Sequence, residues 1–177
     1  MAGSPLQDAR HAAMSRLVGQ VITEWAHTEW LLMLILGALL RVDLDRARIV
    51  LAGYTNFRAK RELILRLGRS YIPDALLAEF ETVMGKVKQL SQKRNMLAHH
   101  RAVFRGRSTF RFFNDEDPTQ PNTFGRYQDV QLGNMKIWVK EICELSGEIH
   151  RLTVKLEREQ LLEQPRLIPE PTAGPAP

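Results

Sequence analysis

Residues 73–100 read PDALLAEFETVMGKVKQLSQKRNMLAHH, and the spacing of their apolar side chains decides the fold. Leu76, Phe80, Val83, Val87, Leu90 and Leu97 recur at intervals of three and four, with Arg94 taking the place of an apolar residue between the last two. That period puts all seven on one stripe of an α-helix. Pro73 suits the first helical position, where no amide hydrogen is needed, and the carboxylate of Asp74 suits the positive end of the helix dipole. Arg94 therefore continues a buried seam instead of standing free in solvent.

The rest of the chain repeats this pattern. A first helix is expected from about Leu6 or Asp8 to Arg41, with Val18, Ile22, Trp25, Glu29, Leu32 and Leu36 on one face. From Leu31 onward it is apolar all round, as a helix surrounded by others must be. Ten such residues are too few to cross a bilayer, which takes roughly 20, so no membrane association is expected. Asp43 can cap a helix from Leu44 to about Ala52, and Thr55 or Asn56 one from Phe57 to Arg69. Met135, Trp138, Ile142, Leu145, Ile149, Leu152 and Leu156 keep a 3-4-3-4-3-4 spacing, a heptad seam able to pack within a bundle or against a second copy of the chain. Trp25, Trp30 and Trp138 all lie in such seams and are expected in the core.

After His100 the pattern alternates. Ala102–Arg105 and Ser108–Phe113 read as two short strands around Gly106, followed by a polar loop from Asn114 to Gln131. The expected fold is all-α: a bundle of four to five helices over residues 6–164, with a small β-hairpin and loop inserted at 101–131. Residues 165–177 hold five prolines and are expected to be disordered.

Net charge is +5, apolar residues make up 44%, and there is one cysteine, Cys143. A lone cysteine allows no internal disulfide and fits a reducing, cytoplasmic setting. The first ten residues lack the apolar core of a signal peptide. The charge is unevenly placed. Between Glu81 and Asp115 there are eight basic residues and no acidic one, leaving 17 basic against 20 acidic elsewhere. A focused basic segment is the usual footprint of an anionic partner.

That segment contains Arg94-Asn95-Met96-Leu97-Ala98-His99. Arginine can clamp a phosphate through paired hydrogen bonds. Histidine titrates near neutrality and can give or take a proton. The asparagine amide both donates and accepts, so it can hold the ring or a substrate oxygen. These are the parts needed to cleave an RNA phosphodiester without metal: a base for the 2′-hydroxyl, a cation for the developing charge and an acid for the leaving oxygen. One histidine per chain is few for both proton transfers, and two chains meeting here would supply two, which predicts a homodimer. Lys93, Arg101, Arg105, Arg107 and Arg111 are expected to hold RNA or nucleotide phosphates, with the interleaved phenylalanines stacking on bases. Glu29, a carboxylate in an apolar stripe, needs a partner, and either orients the motif arginine or forms a structural ion pair. The plainer reading of the motif is an Arg and a His complementing a helix C-terminus. Nothing in the sequence indicates a metal site, a cofactor, a glycine-rich phosphate loop or a serine nucleophile.

The motif resembles the arginine–four-to-six residues–histidine signature of the HEPN superfamily, in the variant with asparagine after the arginine. The layout over roughly residues 8–160 is similar too: a long first helix with an internal acid, a helical hairpin, the motif late in a later helix and a closing helix. The resemblance implies an all-α, commonly dimeric protein, often a metal-independent RNase of toxin–antitoxin or other defence systems with an antitoxin or regulatory partner. It makes Arg94 and His99 catalytic and Asn95 supporting. His100 also satisfies the spacing, although the asparagine form favours His99. Other members of that superfamily are inactive interaction or nucleotide-binding modules.

Overall fold

The structure is a computed structural model and describes residues 5–105, 108–113 and 127–162. Five helices hold most of them: α1 (Pro5–Leu40), α2 (Leu44–Ala52), α3 (Phe57–Tyr71), α4 (Asp74–His99) and α5 (Leu132–Leu162). Between α4 and α5 lie three strands, β1 (Arg101–Phe104), β2 (Thr109–Phe113) and β3 (Tyr127–Gln131), in an antiparallel meander of order β1-β2-β3. Among the described residues no helix is long and apolar enough to cross a membrane.

The helix ends lie where local chemistry puts them. The Asp43 side chain accepts from the Arg46 amide at 2.8 Å, and Asn56 from the Ala59 amide at 2.8 Å. Each satisfies an amide that the helix itself leaves unpaired. α1 stops one residue before the expected Arg41. Arg41 takes the left-handed conformation (φ 54°), its amide bonds Ala38 O, and Val42 N–H reaches back to Gly37 O at 3.0 Å. This is a Schellman cap with arginine where glycine is usual.

α1, α4 and α5 form the centre. α5 buries its entire heptad seam, from Met135 to Leu156, inside its own chain. Ion pairs fix its relation to α4: Glu79 with Lys155, Lys86 with Glu148 and Lys93 with Glu141. One member of each pair descends as the other rises, so the two helices run antiparallel. α1 runs parallel to α5, with Thr28 Oγ1 3.0 Å from Ser146 Oγ in the core and Leu39 near Leu156 further on. α3 runs antiparallel to α4: Arg69 bonds Glu81 at one end, and Asn56 and Asn95 border one groove at the other. At the tight end Gly68 abuts Phe80. A Cβ on Gly68 would lie 2.2 Å from the Phe80 ring, so only glycine admits this approach.

The α4 stripe is buried as expected from Phe80 to Leu97, Arg94 being partly covered. Three expectations need correction. The buried face of α1 is rotated by about one position: Leu17, Val21, Thr28, Leu31, Ile35 and Leu39 join Trp25, Leu32 and Leu36, while Val18 and Ile22 are half-buried. Packing on α5 as well as α2, α3 and α4 demands a wider face than one stripe. Trp30 is not core, being 44% exposed and stacked on His27 (5.8 Å, 16°).

The third correction concerns the insertion. Part of the expected polar loop is strand β3, whose sequence YQDVQ gives a weak signal because Val130 is the buried side chain among Gln128, Asp129, Val130 and Gln131. Its ladder with β2 and the Arg111–Asp129 cross-strand pair hold it. Phe110 and Phe112 point into the core, and Phe104 packs against Phe110 and His11. The interleaved phenylalanines are thus mostly structural. Residues 114–126 and 165–177, for which a loop and a tail were expected, lie outside the described residues.

Candidate functional site

The motif occupies the last turns of α4, which remains helical through His99 before His100 turns extended and gives its amide to Met96 O. Arg94 points back into the seam toward α1. Its Nη1 donates to Asn95 Oδ1 at 3.0 Å, and its Nη2 lies 3.9 Å from Glu29 Oε1. That same Glu29 oxygen accepts the Trp25 indole N–H at 2.7 Å. Trp25 is fully buried, so a core anchor fixes the carboxylate and the carboxylate faces the arginine. Glu29 itself is only partly covered, its side chain 36% exposed. A chain Trp25–Glu29–Arg94–Asn95 therefore links the core to the motif. One donor in it is left over: Arg94 Nε is shielded from solvent and has no hydrogen-bond partner. Leaving a buried donor unpaired costs about 1–3 kcal/mol, and more where the group is charged, and such a group calls for an explanation.

His99 is exposed and His100 half-buried. Helix geometry places His99 about one turn beyond Asn95 on nearly the same face, but about 140° round the axis from Arg94 and about 7.5 Å along it. Within one chain, Asn95 and His99 share a surface while Arg94 approaches from inside.

The basic residues expected around the motif divide. Lys93 is bonded to Glu141 at 2.8 Å and lies over the Trp138 ring, Nζ 5.5 Å from its centroid. Arg111 makes a two-pronged pair with Asp129, at 2.7 and 2.8 Å. That pair holds the Asp129 carboxyl below its ordinary range, chiefly through the hydrogen bonds. Both cations are committed to the fold. A phosphate would have to compete with these carboxylates for either cation. Arg101 lies over Phe113 (5.4 Å) on the outer face of the sheet, and Arg105 is exposed just beyond β1. Arg107 lies outside the described residues.

What the sequence reading missed lies on the other side of the motif. The N-terminal half of α3 runs past Asn95 and brings its own cations. Arg58, Arg61 and Lys88 border a polar groove of about 680 Å³ that also holds Gln92 and Asn95. Phe57 and Arg61 separate this groove from a second cavity of about 290 Å³ between α1, α2 and α3. Its floor is apolar (Leu32, Met33, Leu51, Ile64), Trp30 and Phe57 form its aromatic walls, and Glu29, Arg48, Lys60 and Arg61 supply its charges. Arg61 is almost wholly buried and bonded to its neighbour Glu62. The available signal was the composition of α3, with Arg58, Lys60, Arg61, Arg66 and Arg69 against the single acid Glu62.

Among the described residues no cluster of three His, Cys, Asp or Glu side chains could hold a metal ion. No protein-family model, no curated protein and no solved structure matches this chain.

Proposed function

We propose that the chain is a HEPN-type, metal-independent endoribonuclease of a toxin or defence system. It acts as a homodimer whose composite basic cleft contains Arg94 and His99 of both copies. The observation that supports this most is the chain from Trp25 through Glu29 to Arg94 and Asn95, ending in a guanidinium that is one hydrogen bond short. A phosphate reaching the end of α4 can recruit that donor after a small movement of the side chain. Asn95 and His99 then present an amide and an imidazole on the same surface, for orientation and proton transfer. The divergence of Arg94 and His99 around one helix gives the dimer its purpose, since a second copy supplies the group that the first directs elsewhere.

The same divergence supports a second reading, a non-catalytic module in which Arg94 braces α1 against α4 and the surface binds a nucleotide or a partner protein. Cleavage decides between them. Purified protein incubated with mixed RNA in chelator is expected to leave 2′,3′-cyclic phosphate ends. Arg94→Ala and His99→Ala should each lose at least about a hundredfold in rate, as loss of a proton-transfer group does, while His100→Ala remains active. Sedimentation should show the same dimer for all. Undiminished cleavage by His99→Ala would sink the assignment.

A further inference from the structure

The cavity between α1, α2 and α3 lies next to the motif through Glu29, yet nothing in the cleavage chemistry requires it. We infer that it is a base-recognition subsite, receiving one nucleobase of the RNA strand whose backbone follows the adjacent groove to Asn95. This inference rests on the RNase reading and adds to it the preference for the base. At about 290 Å³ the cavity is near the lower end of small-ligand pockets, about 300 Å³. That suits one flat ring system better than a larger ligand. Trp30 is a large indole left 44% exposed at the cavity wall, where a base can stack on it. An aromatic face is a platform on which any base can stack, since every base has a π-face. Lys60 lies on the rim with no side-chain partner among the described residues, and Arg61 stands between cavity and groove. A phosphate attached to the bound base would therefore meet cations.

Glu29 sets the preference. Its Oε1 accepts from Trp25, which leaves Oε2 to accept from a ligand. Adenine, cytosine and guanine each carry an exocyclic amino donor. Uracil offers only a ring N–H between two carbonyl oxygens, which a carboxylate repels. A site built to receive a hydrogen bond discriminates against the analogue that lacks it. The subsite therefore accepts amino-bearing bases and rejects uracil.

The test is equilibrium binding of the four nucleoside 5′-monophosphates to the full-length His99→Ala protein, followed by tryptophan fluorescence and equilibrium dialysis. AMP, GMP and CMP are expected to bind at least about tenfold more tightly than UMP. Trp30→Ala should weaken them about tenfold, and Glu29→Gln should narrow the gap to UMP, because an amide both donates and accepts. Circular dichroism on both variants guards against misfolding. A short single-stranded RNA should displace the mononucleotide competitively. Absence of saturable binding, equal affinity for all four, or unchanged affinity in a folded Trp30→Ala protein would overturn the subsite. Binding that RNA fails to displace would overturn the strand assignment in favour of a free-nucleotide site. Base-selective binding by a protein that never cleaves RNA would overturn the RNase reading alone, and cleavage without mononucleotide binding the subsite alone.

Discussion

The two flanks of α4 carry the same kinds of residue to opposite ends. Toward α5, Glu79, Lys86 and Lys93 stand seven residues apart and meet Lys155, Glu148 and Glu141, also seven apart. These are the flanking charges of an antiparallel heptad seam, and they fix register and direction. Toward α3, Lys88 and Asn95 border a groove whose opposite wall carries Arg58 and the Arg61–Glu62 ion pair. Cations opposite carboxylates belong to the fold. Lys88 and Arg58, which border open space and have no carboxylate paired with them among the described residues, leave a surface that an anion completes. The number of lysines and arginines in a segment therefore says less than what stands across from each.

The sharpest way to break this comparison is to disturb the end at which the α3 flank is closed. Gly68 lets the Phe80 ring lie against the α3 backbone, and an added methyl would lie 2.2 Å from ring carbons of a fully buried side chain. Gly68→Ala is expected to lower stability by about 1–3 kcal/mol, the usual effect of overpacking. Measured by urea unfolding, the loss should come with weaker RNA binding, because α3 cannot stay seated at Phe80 and keep its other end beside Asn95. Unchanged stability would mean that the two helices are not locked at this point.

A smaller effect separates the flanks by two residues on one helix. Lys86→Ala removes the partner of Glu148, and because the pair is partly exposed it should cost no more than about 1 kcal/mol. RNA affinity should not change. Lys88→Ala should leave stability within about 0.5 kcal/mol, yet weaken RNA binding and reduce its salt dependence by about one phosphate contact. Equal effects of the two substitutions on binding would erase the distinction between the flanks.

Much of this was legible from spacing alone. The α4 stripe, the α5 seam, and the caps at Asp43 and Asn56 follow from local periodicity and side-chain chemistry, which the tertiary structure left intact. The seven-residue spacing of charges on α4 and α5 was equally visible and would have removed Lys86 and Lys93 from the basic segment. Three readings failed for physical reasons. β3 is held by a ladder to β2 and not by its own pattern. Trp30 lies in an apolar sequence, but the gap between α1 and the α2–α3 pair exposes it. The groove combines residues of α3 with Asn95, more than thirty positions away in the chain, and no local window holds both. Of the proposed site residues, Arg94, Asn95 and Glu29 lie together, and Glu29 has the cationic partner that a carboxylate in an apolar stripe needs. Of the expected phosphate-binding set, Lys93 and Arg111 have carboxylate partners on α5 and β3, which a count of charge along the sequence does not weigh.

The third contact of the bundle, α1 against α5, offers the mildest test of the rule that an opposing group decides a side chain's role. Cys143 lies on the exposed side of α5, and its thiol is pushed above its ordinary pKa first by the partial desolvation it does undergo and second by the nearby Glu24 carboxylate. Both favour the neutral thiol over the thiolate, which is the reactive form. Alkylation by iodoacetamide at pH 8 should therefore be slower than for a free cysteine, with its rise displaced above the usual midpoint of about 8.5. Glu24→Gln removes the charge but not the burial, so it should restore only part of the rate. The same shift has a sign for stability. Because the folded pKa is raised, its contribution is complete below the unfolded pKa and is lost as pH rises through the folded one. The Glu24→Gln protein should lose less stability across that alkaline window than the parent. Identical alkylation profiles for the two proteins would show that burial acts alone and that the carboxylate across the helix pair has no influence on the thiol.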